Sequence, residues 1–266
     1  MSHKLTLLGS GSSGGVPRLG NNWGQCDPAN PKNRRRRCAA LFERVAGRGS
    51  TTLLIDTPPD LREQLLDARV SAVDGVAYTH DHADHTHGID DLRILAFNMR
   101  RRVDVHFDAV TGASLMHRFE YCFKAQPGSD YPPILNAHEI MSPEPITING
   151  AAGPIVGTPV RQEHGPGNAS LGFRIGDVAY SPDISGLGPE EQAQLQGLDL
   201  WVVDALRYIP HPAHFSVAQA LEWIERLKPK RAILTHLHID LDYAALKREL
   251  PPHVEPAYDG MIVHFD

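Results

Sequence analysis

Thr79-His80-Asp81-His82-Ala83-Asp84-His85 packs three histidines and two aspartates into seven residues, directly behind the apolar stretch Val73 to Tyr78. A β-branched and aromatic run that ends in imidazoles and carboxylates predicts a buried strand delivering ligands to a site at its end. Neutral imidazole nitrogen and carboxylate oxygen are donors that zinc, manganese and iron accept without a thiolate. In an extended or tightly turned segment His80 and His82 point the same way, while Asp84 and His85 reach a second ion close by. A histidine-rich chelating tract has neither a core strand leading into it nor a Gly88 closing it.

Three more strand-then-ligand patterns follow. His164 comes after Ile155 to Val160 and before the turn Gly165-Pro166-Gly167. Asp183 comes after Val178-Ala179-Tyr180-Ser181-Pro182, and His236 after Ala232-Ile233-Leu234-Thr235. A lone His or Asp past a strand is usually a loop residue. Repeated behind four strands, the pattern predicts that they end on one side of a sheet and put their ligands in one place.

The other strand-like runs are Leu5–Leu8, Ala39–Phe42, Thr52–Ile55, Val103–Phe107, Leu171–Ile175, Leu200–Val203 and Ile262–Phe265, and Gly75–Tyr78 leads into the motif. Helical patterns cover Pro59–Ala68, Ile89–Met99, Ala113–Phe123, Glu190–Leu195, Val217–Leu227 and Tyr243–Leu250. The best defined is Val217–Leu227: Ser216 and Gln219 fit a capping box, Val217, Leu221, Ile224 and Leu227 share a face, and Lys228-Pro229 stops it. Strands that are partly consecutive and partly alternate with helices predict an α/β fold of two sheets with helices outside, here a single domain over residues 1–266. Gln126–Pro145, rich in Pro and Gly, is expected to be a surface excursion.

The chain has 266 residues, is 41% apolar and 22% charged, and carries a net charge of −6. It holds no apolar run long enough to span a membrane. An acidic balance argues against binding long nucleic acids, which favours a basic surface. Cys26, Cys38 and Cys122 are odd in number and widely spaced, so no disulfide framework is expected. With no signal-peptide pattern at the start, a reducing cytoplasm is the expected compartment. A homodimer is compatible with such a chain.

The ligand series, from Thr79–His85 through His164, Asp183 and His236, resembles the metallo-β-lactamase superfamily of hydrolases. Leu53-Leu54-Ile55-Asp56-Thr57 is similar to that superfamily's strand-end aspartate, which is mainly structural. The resemblance runs from Leu5 to the final strand and implies a four-layer αβ/βα sandwich with the site at one edge. Three stretches resemble its phosphoribosyl cyclic phosphate phosphodiesterase branch: Leu8–Pro17, the segment His211-Pro212-Ala213-His214-Phe215-Ser216, and Tyr258-Asp259-Gly260-Met261. The tRNA 3′-processing endonuclease is a more distant relative.

By position, the resemblance assigns His80, His82 and His164 to one metal, Asp84, His85 and His236 to a second, and Asp183 to both. His214 matches the branch's catalytic histidine. The implied protein is a phosphodiesterase with two divalent ions, zinc or manganese, hydrolysing a small phosphate ester, cyclic or nucleotide-like esters included. Asp84 would also orient the attacking hydroxide. The alternatives are the tRNA endonuclease and a non-catalytic metal-binding or sensing protein on the same fold. One departure stands out: the branch holds an extra structural zinc with cysteines after its Val-Pro turn, and here only Cys26 remains. Cys26, Cys38 and His238 supply at most three of the four donors such an ion needs, so no third metal is expected.

Some features have simpler readings. Gly9 to Gly15 lacks the ending of a P-loop and is expected to be a tight turn using positive φ. Arg34 to Arg37 is expected to be a solvated face that draws anions inward. His87 is expected beside the site or at the surface. Arg207, just past Leu200–Val203, is a candidate phosphate contact.

Overall fold

The computed structural model describes residues 2–47, 49–125, 127–128 and 130–265. Its strands are β1 (Ser2–Gly9), β2 (Ala39–Ala46), β3 (Gly49–Ile55), β4 (Gly75–Ala77), β5 (Val103–Phe107), β6 (Leu135–Glu139), β7 (Ile146–Ile148), β8 (Ile155–Glu163), β9 (Ala169–Ile175), β10 (Val178–Ser181), β11 (Leu200–Asp204), β12 (Arg231–Thr235), β13 (Val254–Pro256) and β14 (Met261–Phe265). They form two seven-stranded sheets, ordered β14-β1-β2-β3-β4-β5-β6 and β13-β12-β11-β10-β9-β8-β7.

Each sheet has an antiparallel half and a parallel half. Strands β3 to β6 pair in parallel in the first sheet, and β10 to β13 in the second. Strand β8 pairs antiparallel with β9, which pairs antiparallel with β10, so β8 and β10 run the same way. Leu5, Phe42, Leu53, Ile55, Phe173, Tyr180, Val202 and Ile233 are buried between the sheets. A second apolar layer packs α1 (Leu61–Asp67), α3 (Leu92–Met99) and α4 (Ala109–Arg118) onto the first sheet; a third packs α7 (Val217–Leu227) and α8 (Tyr243–Glu249) onto the other. The helix–sheet–sheet–helix layering is the αβ/βα sandwich expected from the sequence.

Helix α7 keeps its predicted bounds and its capping box, with Gln219 N–H donating to Ser216 Oγ and Ser216 N–H donating to Gln219 Oε1. The predicted helix 113–123 differs. Asp108 caps the start by accepting from Thr111 N–H, so α4 begins at Ala109, and the non-helical backbone at Phe119 (φ −127°, ψ 37°) separates it from α5 (Glu120–Phe123). Within Gln126–Pro145, expected to be a surface excursion, Leu135–Glu139 is an edge strand; Gln126 and Ser129 lie outside the described residues. No helix among the described residues is long and apolar enough to cross a membrane.

The arginine run is not a uniformly solvated face. Arg34 is exposed, Arg35 is fully buried, Arg36 pairs with Asp67 and Asp259, and Arg37 pairs with Asp60. Gly15 has the positive φ expected of the glycine-rich turn, whereas Gly9 is required by close approach, since a side chain there would run into the Arg37 carbonyl.

Candidate metal centre

The site lies where parallel strands of both sheets end. Strand β4 is short and buried, and beyond it the chain passes through His80 and His82 into the single-turn α2 (Ala83–Thr86), which carries Asp84 and His85. His164 follows β8, Asp183 follows β10 and His236 follows β12. Leu171 N–H donates to the Thr79 carbonyl at 2.8 Å, joining the sheets beside the motif. Ligands at the carboxyl ends of strands are a general consequence of open α/β sheets.

Asp56, directly after β3, holds the motif in shape. Its carboxylate accepts from Thr79 N–H and Oγ1, both at 2.8 Å, and lies 2.7 Å from His85 Nδ1. That bond keeps a proton on Nδ1 and turns Nε2 inward. Burial alone would lower His85, but Asp183, Asp84 and Asp56 push it well above the usual histidine range, so a cation bound there would take the place of the Nε2 proton. Asp56 and His236 both adopt left-handed backbone, with φ of 65° and 59°. Non-glycine residues held there cost of order 1–3 kcal/mol each, and such strain clusters at functional sites.

All seven sequence-predicted ligand positions come together. One group of potential ligand atoms comes from His80, His82, His164 and Asp183, and a second from Asp84, His85 and His236. Within each group the atoms lie within 4.8 Å of one another. Asp183 faces both groups. Its Oδ2 is 3.7 Å from Nε2 of His80 and of His164, while its Oδ1 is 3.1 Å from His85 Nε2 and 3.5 Å from His236 Nε2. The donors are buried except His82, which is exposed, and Asp84, which is half-buried.

The electrostatics suit cation binding. His80 Nε2, His85 Nε2, Asp183 Oδ1 and His236 Nε2 are buried without hydrogen-bond partners. Buried polar atoms are rarely left so, and several converging on one space fit a bound cation. Burial pushes His80 well below the usual histidine range, with the charge of His85 adding to the effect, and burial takes His164 down to about 4. Both therefore keep a free lone pair at neutral pH. Burial alone would raise Asp183, but His236 and His85 hold it well below the usual carboxylate range; His85 likewise keeps Asp84 ionised against its burial.

His214 stands beside this cluster with its ring stacked on His236, the centroids 4.7 Å apart. Its Nδ1 is 2.7 Å from Asp204 Oδ2. Asp204 closes β11, is fully buried, and was not singled out from the sequence. Its other oxygen lies 3.7 Å from His236 Nδ1. Burial lowers the proton affinity of His214, opposed by the charge of Asp183. His211, half-buried, is a ring neighbour of His214 at 5.1 Å. Arg207 donates to the carbonyls of Ile209 at 3.0 Å and Pro210 at 3.3 Å, bracing the loop that carries both histidines. His87 is exposed, with its Nε2 3.4 Å from Arg118 Nη1.

Two hollows flank the centre. One, of about 260 Å³, is lined by His80, His82, His164, Asp108, Arg161 and Asn168; the other, of about 600 Å³, by Asp84, Ser13, Arg18, Leu19 and Arg37.

Two sheets with helices outside, and a histidine–aspartate cluster at the strand ends, define a metallo-hydrolase fold. Residues 51–237, well over half the chain, match a family model described as a beta-lactamase superfamily domain. The chain belongs to the metallo-β-lactamase superfamily. The branch anticipated from Leu8–Pro17, His211–Ser216 and Tyr258–Met261 also fits its neighbours. A crystal structure of a new diphosphatase from the PhnP family is 34% identical, covers 100% of this chain and 98% of its own, and gives a TM-score of 0.87. An octanoyltransferase from Porphyromonas gingivalis is 33% identical over 97% of this chain, which spans about half (51%) of that relative's length. Zinc-bound PqqB from Methylobacterium extorquens, 15% identical over 98% of this chain and 99% of its own, has a TM-score of 0.73, a likeness of fold alone.

Proposed function

We propose that the protein is a two-metal phosphodiesterase acting on a small phosphate ester, cyclic and nucleotide-like esters included. The observation that carries this reading is the division of Asp183, with one oxygen toward His80 and His164 and the other toward His85 and His236. A carboxylate shared between two sets of imidazole nitrogen donors suits a pair of zinc or manganese ions, the arrangement that clamps both oxygens of an in-line displacement. His80, His82 and His164 would hold one ion, and Asp84, His85 and His236 the other, with Asp183 common to both. Bound there, divalent ions supply charge neutralisation and a more acidic water.

The chain's own groups do the rest. Asp84, kept ionised, orients the attacking water. His214, fixed by Asp204 through Nδ1, presents Nε2 to the leaving oxygen as proton donor. Both its burial and the start of α7 two residues on disfavour the imidazolium. The negative charge of a bound phosphate offsets both. Arg207, whose charge reaches His211 and His214, adds attraction for that phosphate.

The PhnP-family neighbour is named a diphosphatase, which also breaks a phosphorus–oxygen bond. Nothing is carried over from the octanoyltransferase name, which describes a protein about twice as long. The acidic net charge disfavours a tRNA substrate. The test is a screen of metal-loaded protein against bis(p-nitrophenyl) phosphate, cyclic nucleotides, ribose cyclic phosphates and a precursor tRNA. Turnover of small esters supports the reading, whereas cleavage of the tRNA alone, or of nothing, rejects it.

A further inference from the structure

The extra structural zinc implied by the phosphodiesterase branch does not fit this chain. Cys26 Sγ lies 3.4 Å from the carbonyl oxygens of both Ile239 and Leu241, and 3.8 Å from Nη1 of Arg35, a cation in its own right. Cys38 sits elsewhere, with its Sγ 3.5 Å from Thr235 Oγ1. The ring of His238 is taken by Arg18 on one nitrogen and by Asp240, at 2.9 Å, on the other. These donors do not converge.

Arg35, not a further metal donor, stands beside Cys26. It is 2% exposed, second only to Trp201 in size among the fully buried side chains. Its Nη1 donates to the His238 carbonyl and its Nη2 to Asn33 Oδ1, both at 3.3 Å. With Cys26 these partners are a carbonyl, an amide oxygen and a thiol, none of them a carboxylate. A guanidinium buried without a directly bonded carboxylate is costly, and here the hydrogen bonds from its two Nη groups offset that cost while Nε has no partner. The network continues outward: Asn33 donates to Asp242 Oδ2 at 2.6 Å and accepts from Tyr243 N–H at 2.7 Å. On the other side, the backbones of Arg35 and Val16 exchange hydrogen bonds of 2.8 and 2.9 Å. One side chain thus joins the segment after the Val16-Pro17 turn to residues 238–243, which begin two positions beyond His236.

We infer that Arg35 is a metal-free clasp that replaces the structural zinc and acts as a positioning residue for the His236 segment through the His238 carbonyl. Its planar fork presents donors on two nitrogens at a fixed separation, whereas a lysine brings its donors to a single point.

The test compares full-length wild type, Arg35→Met and Arg35→Lys by limited trypsin digestion in metal-free buffer and with added zinc. Arg18, Lys32 and Arg34 offer cleavage points in the clasped segment. Cleavage there should be at least about tenfold faster in Arg35→Met, and intermediate in Arg35→Lys, with far-UV dichroism retained and no protection regained with zinc. A methionine variant as resistant as wild type, or one that zinc protects, overturns the clasp. If the methionine variant unfolds, the lysine variant decides: wild-type resistance in it overturns the inference, and faster local cleavage upholds it. Zinc competition with a chromophoric chelator tests positioning: supporting groups around a ligand typically tune affinity about 10–100-fold, so one ion should weaken by about that factor. Unchanged affinity for both ions removes the positioning role. This second arm rests on the proposed metal centre. If the wild type binds no zinc, that reading fails, and the digestion alone decides the clasp.

Discussion

Asp183 and Asp204 are both fully buried near the same histidines, yet their surroundings push them in opposite directions. Asp183 is held well below the usual carboxylate range against its burial by His236 and His85, while burial pushes Asp204 up despite the pull of His236. The first is equipped to face two cations, the second to hold an imidazole. Asp183→Ala should therefore weaken binding of both ions, whereas His82→Ala, removing one exposed donor, should weaken one. Metal titration of the two variants separates the outcomes, and near wild-type affinity in the Asp183 variant rejects the bridge. His214→Ala should keep both ions and the fold but lose about 10²–10⁴-fold in turnover of esters with alkoxide leaving groups. The loss should shrink for p-nitrophenyl esters, whose leaving group departs without a proton; equal loss on both points to a binding role. At this scale the ligands were legible because each follows a strand and precedes a turn. Asp204 was not, since Leu200-Trp201-Val202-Val203-Asp204-Ala205 runs on through apolar residues with no turn signal. Nor was Arg35, because nothing within four consecutive arginines marks the buried one.

Helix α7 shows how local chemistry sets an element. Ser216 accepts from Gln219 N–H and Gln219 Oε1 accepts from Ser216 N–H, so two donors that begin the helix are satisfied reciprocally. Ser216→Ala should cost about 1 kcal/mol, read as a lower urea midpoint at unchanged slope. A change in slope instead means that the variant alters more than the cap. The core strands were readable because burial on both faces requires continuous apolar runs. The strands missed by the sequence reading, β6, β7 and β13, stand at sheet edges. One side of an edge strand is solvated, so Leu135–Glu139 is mostly polar and Val254-Glu255-Pro256 tolerates a proline.

Across the whole molecule, the two sheets repeat one plan: antiparallel strands at one side, parallel strands at the other. Their parallel halves bring the ends of β3, β4, β10, β11 and β12 to one edge, joined there by β8. Residues as distant as Asp56 and His236 thereby share one pocket. The layering was legible from the alternation of strand and helix patterns, but the pairing of distant strands that closes the pocket was not, because register depends on contacts far apart in the chain. In the proposed reading this pocket works with two ions. The most direct measurement is hydrolysis of bis(p-nitrophenyl) phosphate by metal-stripped protein titrated with zinc or with manganese. The rate should climb to a plateau at two equivalents per chain and vanish with chelator. A plateau at one equivalent, or no turnover at saturating metal, would contradict it.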